Sequence, residues 1–190
     1  MWAVVVDTST NTVDVSTYSR VSNSSYPFLV AETRWLDERE ARAWRTLQMM
    51  QMRLDGELAR QLASESGLSY QDYTVLVALT GSPEGRMRAF ELGALLGWEK
   101  SRLSHHVQRM AERGLVKKEK CASDRRGSFV SVTPAGRKEI ESAAPGHVNA
   151  VRKLFVDRLT GDQLDAIAQV AETVLAALVE SNGGVDGNGR

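Results

Sequence analysis

Apolar residues recur at steps of three and four through most of the chain, and the pattern resets at glycine, proline and capping residues. That periodicity predicts a mainly helical protein. Asp37 and Glu40 have the spacing of a capping box, and a stripe through Trp44, Leu47, Leu54, Leu58 and Leu62, with Gln51 as its polar gap, follows as far as Ser66-Gly67. Ser69 is placed to cap a second helix over 70–80, which carries Val75, Leu76 and Leu79, and Gly81 to Gly85 interrupt the chain. Phe90, Leu92, Leu95 and Leu96 mark a short third helix closed by Gly97. A fourth begins near Trp98-Glu99, with Leu103, Val107 and Met110 on one face, and ends at Gly114.

Beyond Gly114 the period changes. Lys117, Lys118 and Lys120 lie on one arm and Phe129, Val130 and Val132 on the other arm of a predicted hairpin, whose tip is Ser123-Asp124-Arg125-Arg126-Gly127. Thr133 caps the next helix and Pro134 takes its first position. That helix carries Ile140 and, past Pro145-Gly146, Val148, Val151, Leu154, Phe155 and Leu159; the proline predicts a kink or break. Thr160 and Gln163 form another capping box, ahead of a last stripe through Leu164, Ile167, Ala171, Val174, Leu175 and Leu178. Residues 1–33 have no helical period and are expected to hold little order, as is a flexible tail over 183–190.

The fold class that results is mainly α with a small β-hairpin wing, a winged helix-turn-helix. The fourth helix turns Ser101, His105, Gln108, Arg109 and Glu112 away from its apolar face, with Arg102 and Ser104 on the flanks. A polar helix face beside a basic hairpin suits reading of base edges combined with gripping of the phosphate backbone. Trp98 could stack on DNA, but beside Leu95 and Leu96 it reads as core. The first and the last two helices carry more apolar surface than one small winged domain can cover. They are therefore expected to form a dimerisation region about a twofold axis.

Net charge at first argues against a nucleic-acid partner, because 24 Lys and Arg balance 24 Asp and Glu. The distribution reverses that. Residues 86–138 hold 13 basic against 5 acidic residues, an excess of eight positive charges that the remainder of the chain cancels. One face is thus aimed at a polyanion. Cys121 is the only cysteine, so no intrachain disulfide forms and a reducing cytoplasm fits. No apolar run approaches the roughly 18 residues of a membrane span, and Met1 to Val6 lacks the basic start of a signal peptide.

The stretch D-R-R-G-S-F-V-S-V-T-P-A-G resembles the wing signature of the multiple-antibiotic-resistance regulator (MarR) family: D-x-R, a short strand, then L/V-T-x-x-G. Asp124, Arg126, Val130, Val132, Thr133 and Gly136 fall on those positions. The resemblance extends over residues 37–181. It implies a domain over 34–182, with the winged helix-turn-helix at about 69–134 and dimerisation helices at about 37–66 and 134–181. It further implies a homodimeric DNA-binding regulator, often a repressor, that recognises an inverted-repeat operator and is released by a small aromatic or phenolic ligand.

On that reading Ser101, Arg102, Ser104, His105, Gln108, Arg109, Arg125 and Arg126 contact DNA. Arg126 matches the family arginine that approaches the minor groove, and Asp124 orients it or Arg125 through a charge-assisted hydrogen bond. Trp44 and Tyr73 are the candidate ligand-lining residues. Cys121, beside Lys120, offers a redox switch, although the family's peroxide sensors carry their reactive cysteine near the first helix. An enzyme lacks support: His105 and His106 are adjacent and diverge on a helix, and no triad, P-loop or HExxH pattern is present, so no catalytic residue, metal or cofactor is expected. A protein-binding scaffold on a degenerate winged helix conflicts with the intact D-x-R wing.

Overall fold

The computed structural model describes residues 34–120 and 128–183. The expectations for 1–33, for the wing tip at 121–127 and for the tail beyond 183 fall outside the described residues. Six helices run α1 (Glu38–Ser66), α2 (Tyr70–Gly81), α3 (Ala89–Leu96), α4 (Lys100–Glu112), α5 (Pro134–Leu154) and α6 (Gly161–Gly183). Three short strands accompany them, β1 (Arg86–Arg88), β2 (Val116–Lys120) and β3 (Ser128–Val132).

The chain divides into two units, 1–55 and 56–190, with α1 continuing across the boundary. In the first unit Asp37 and Glu40 form the expected reciprocal cap, at 2.8 Å and 2.9 Å. Trp35, Leu36, Trp44 and Met52 are exposed there. The core belongs to the second unit. Leu62 and Leu68 meet Tyr73, Val75, Leu76 and Leu79 of α2, Leu92 of α3, and Leu103, Val107 and Met110 of α4. Leu115, Val116, Val130, Ile140 and Ala143 close it from the sheet and α5.

The hairpin predicted from the alternation is present as β2 and β3, paired antiparallel with Val116 opposite Val132 and Lys118 opposite Val130. A third strand extends it. β1 pairs with the other edge of β3, placing Met87 opposite Val130 and Arg88 opposite Phe129. Three residues reading Arg-Met-Arg carry no alternation long enough to detect, so only the pairing with a distant strand reveals them.

Of the kink or break expected at Pro145, the break does not occur: α5 runs as one helix from Pro134 to Leu154 and ends at Phe155 (φ −130°, ψ −67°). An interior proline removes one backbone hydrogen bond and costs about 3 kcal/mol. Here the next two residues are held in place. Gly146 lies against the side chains of Gln61 and Glu65, and the buried His147 ring stacks tilted on Tyr73 at 4.3 Å. That packing maintains the helix through the proline. α6 begins with the predicted Thr160–Gln163 box and buries almost nothing along its length.

Candidate nucleic-acid interface

The helix-turn-helix is α3, a turn at Gly97, and α4. Gly97 sits in the left-handed region (φ 63°, ψ 31°), and the amides of Gly97 and Trp98 return to the carbonyls of Ala94 and Gly93. This double closure ends α3 and turns the chain into α4. α4 closes the same way at Gly114 (φ 74°), whose amide bonds to Ala111 while Leu115 bonds to Met110. Between these stops Leu103, His106, Val107 and Met110 are buried, and Ser101, Arg102, Ser104, His105, Gln108 and Arg109 are exposed together on the opposite face.

Several of these side chains are constrained. The Arg102 guanidinium lies 4.7 Å above the Trp98 ring. Gln108 donates to Glu112 at 3.0 Å. The Arg109 guanidinium meets Nδ1 of His106 at 3.1 Å. Lys118 of β2 reaches Ser104 of α4 at 3.4 Å, which brings the wing's basic arm alongside the helix. Trp98 is half-buried against the core, in keeping with its core reading.

Lys117 and Lys118 are exposed on β2. Asp124, Arg125 and Arg126, the arginine-bearing tip, lie outside the described residues, as does Cys121. Sequence reasoning did not single out Arg86 and Arg88 of β1, whose guanidiniums lie 5.1 Å and 5.4 Å from the Phe129 ring, with Arg86 also paired to Glu84 at 2.6 Å. The signal available for them was the basic excess, whose first members they are.

The base of the wing explains its Thr-x-x-Gly motif. The Thr133 hydroxyl accepts from the Gly136 amide at 2.9 Å and donates to the Gly114 carbonyl at 2.6 Å. A Cβ at Gly136 would overlap the Leu115 carbonyl oxygen and lie 2.9 Å from its carbon. This close approach locks the end of α4 to the start of α5.

Beneath α4 a buried polar node was not anticipated. Asp72 of α2 forms a capping box with Ser69 and accepts from Arg113 at 2.6 Å through Oδ2. Its Oδ1 lies 3.1 Å from Nε2 of His106, off the line of a straight hydrogen bond. Burial raises the Asp72 carboxyl, but the hydrogen bonds from Arg113 and Ser69 outweigh it and hold the group below 3.8. Burial pushes His106 below 6.5; Asp72 opposes this, and Arg109 and Arg102 add to it.

A separate cavity of about 290 Å³ is lined by Tyr70, Tyr73, Thr74, Val77, Ala78, Leu95, Leu96 and His147. Tyr73 is thus on its wall. Trp44, in the first unit, is 56% exposed. Among the described residues no group of three or more His, Cys, Asp or Glu is placed to hold a metal, and no helix is long and apolar enough to cross a membrane.

A sequence model of the MarR family matches residues 66–127, which span α2 to the wing tip. The solved structure of AbsC, a MarR family transcriptional regulator from Streptomyces coelicolor, is 37% identical with a TM-score of 0.73, covering 78% of this chain and 99% of that one. The chain belongs to the MarR family. Sco3205, another MarR family regulator from Streptomyces coelicolor, was solved in complex with DNA; it is 38% identical with a TM-score of 0.74, over 77% of this chain and 92% of that one. Transcriptional regulator HosA of Escherichia coli O111:H- is 29% identical over 110 residues, 58% of this chain and 79% of its own length. This MarR protein is accordingly a DNA-binding transcriptional regulator and not an enzyme.

Proposed function

We propose that the protein is a homodimeric repressor that places α4 of each copy in successive major grooves of an inverted repeat. The single observation that carries this reading is the exposed face of α4, where Ser101, Arg102, Ser104, His105, Gln108 and Arg109 stand together beside Lys118. Two such faces on a twofold axis would be set roughly 34 Å apart. Arg102 and Arg109 take guanine edges or phosphates; the hydroxyls, His105 and Gln108 take bases or backbone. Arg125 and Arg126 reach the DNA from the wing, Arg126 towards the minor groove, with Asp124 orienting Arg126 or Arg125. The DNA complex of Sco3205, more than a third identical to this chain, supports the same use of the domain. The setting is the cytoplasm.

The test is fluorescence-anisotropy titration of the full chain against DNA flanking its own coding region, at two salt concentrations, with scrambled duplex as control. Nanomolar binding well above the control is the expected result. Equal, weak, salt-sensitive binding to both would leave only a basic face.

Release by a small aromatic or phenolic ligand is the second reading, and the cavity beside Tyr73 supports it. Its volume is near the lower bound for small-molecule sites, about 300 Å³, and Tyr70, Thr74 and His147 supply polar groups among apolar walls. A ligand there would act by favouring a dimer geometry that mismatches the operator spacing. A thermal-shift screen of phenolic acids in which no hit also releases DNA would remove this reading.

A further inference from the structure

His106 occupies a position that periodicity assigns to the core, between Leu103, Val107 and Met110, and it is 8% exposed. An imidazole there costs desolvation that a leucine would not, so packing does not account for it. Its two nitrogens have different partners. A guanidinium only donates, so the 3.1 Å contact with Arg109 requires Nδ1 to accept. Nε2 then carries the proton, and it faces Oδ1 of Asp72 at 3.1 Å. Both neighbours select the same neutral tautomer. The ring also makes a T-shaped contact with Trp98, with centroids 5.2 Å apart, and the Arg102 guanidinium lies over the Trp98 ring.

We propose that His106 is a positioning residue: its neutral ring fixes the Arg109 guanidinium through Nδ1 and, through Trp98, steadies Arg102, so that both arginines reach DNA in one geometry. The inference rests on the reading of α4 as the DNA-contacting helix. A purely structural histidine would need only Asp72, which ties α2 to α4. The Nδ1 contact is made with Arg109, which is exposed.

Protonation removes this function. An imidazolium has no acceptor, so Nδ1–H would confront the Arg109 donors, and a new positive charge would stand beside Arg109 and Arg102. The charged groups facing the ring are Asp72 from α2, Arg109 and Arg102 from α4 itself, and Arg113, which already neutralises Asp72 at 2.6 Å. Burial keeps the ring neutral at neutral pH. Acidification is therefore expected to loosen sequence-specific contact while general attraction to phosphate grows.

The experiment uses the full chain; His105, the other imidazole on this face, is retained in every variant, so whatever it contributes is common to all of them. The probes are the duplex recovered by in vitro selection at pH 7.5 and its scrambled counterpart. The preference for selected over scrambled DNA should fall roughly tenfold from pH 7.5 to 5.5, about the effect of one charge-assisted hydrogen bond. His106→Asn keeps an acceptor near the Nδ1 position and does not titrate, so its preference should be retained and fall clearly less with pH than the parent's. His106→Leu should lose preference at every pH, and Arg109→Ala should add nothing to that loss.

A pH profile identical in the parent and His106→Asn, or additive losses from His106→Leu and Arg109→Ala, would overturn the inference and leave the reading of α4 intact. Arg109→Ala without effect, or selection that recovers no preferred duplex, would overturn that reading and the inference with it. Should His106→Leu fail to fold by circular dichroism, the Asn profile alone decides.

Discussion

A methyl group at position 136 would overlap the carbonyl of Leu115, and nothing nearby is a flexible side chain that could withdraw. On an exposed helix, replacing glycine with alanine gains about 1 kcal/mol. Here the obstacle is main chain, fixed by the Thr133 hydroxyl and by the Thr133 amide bonded to Leu115 at 3.1 Å. Overpacking of about 1–3 kcal/mol exceeds the gain. Gly136→Ala should therefore lower the melting temperature by several degrees in a calorimetric scan, and an unchanged or higher value would count against the close approach. The buried titrating groups set a second expectation. His106 and His147 are both held below 6.5 by burial. A folded-state value below the unfolded one means that the unfolded chain binds more protons, so stability falls as pH drops below about 6.5. Asp72 is held below 3.8, so its contribution persists above that pH and is lost as pH falls through its folded value. The melting temperature should thus decline in two stages on acidification, the first reduced in His106→Asn. A melting temperature constant from pH 7.5 to 5 would contradict the first stage.

The elements that the sequence made legible are those specified within a few residues. Asp37 with Glu40, Ser69 ahead of α2, Thr133-Pro134 and Thr160 with Gln163 are local signals, and each sits at the start of a helix. The apolar face of α4 was equally readable, because Leu103, Val107 and Met110 repeat at the helical period. What stayed hidden depends on distance along the chain. Arg113 reaches Asp72 across 41 positions and Thr133 reaches Gly114 across 19, and neither spacing has a period to betray it. β1 is defined only by its pairing with β3. Phe90, a marker of α3 in the apolar pattern, is 69% exposed, since an eight-residue helix turns only part of its surface inward. Of the candidate site, the α4 face could be listed from the sequence, whereas the His106 support beneath it required the fold. The wing carries its own prediction. Arg126→Ala should weaken binding across DNA sequences alike and reduce the slope of log affinity against log salt by about one unit. An unchanged slope would take Arg126 off the list of phosphate contacts.

At the scale of the whole molecule, α6 is the feature that a single copy does not explain. Ile167, Val170, Val174, Leu175, Leu178 and Val179 are all exposed, with Leu175 at 60%, on a helix of 23 residues that contributes nothing to the core cluster. Isolated helices of this kind are marginal in water, and most helical stability comes from packing of an apolar face. A second copy packed along these six aliphatic side chains would remove their exposed apolar surface from water, at about 25 cal/mol per Å², and would supply the packing that the helix lacks in a single copy. In the first unit, Trp44, Leu47 and Met52 of α1 are exposed as well. Sedimentation at micromolar protein is therefore expected to give twice the chain mass of 20.9 kDa. Leu175→Glu would set a charge in the covered face and should shift the species towards monomer by at least tenfold in dissociation constant. The same variant should bind an inverted repeat no better than a single half-site, because two α4 helices no longer act together. A wild-type monomer whose mass does not change with concentration would overturn the dimer, and with it the expectation of an inverted-repeat operator.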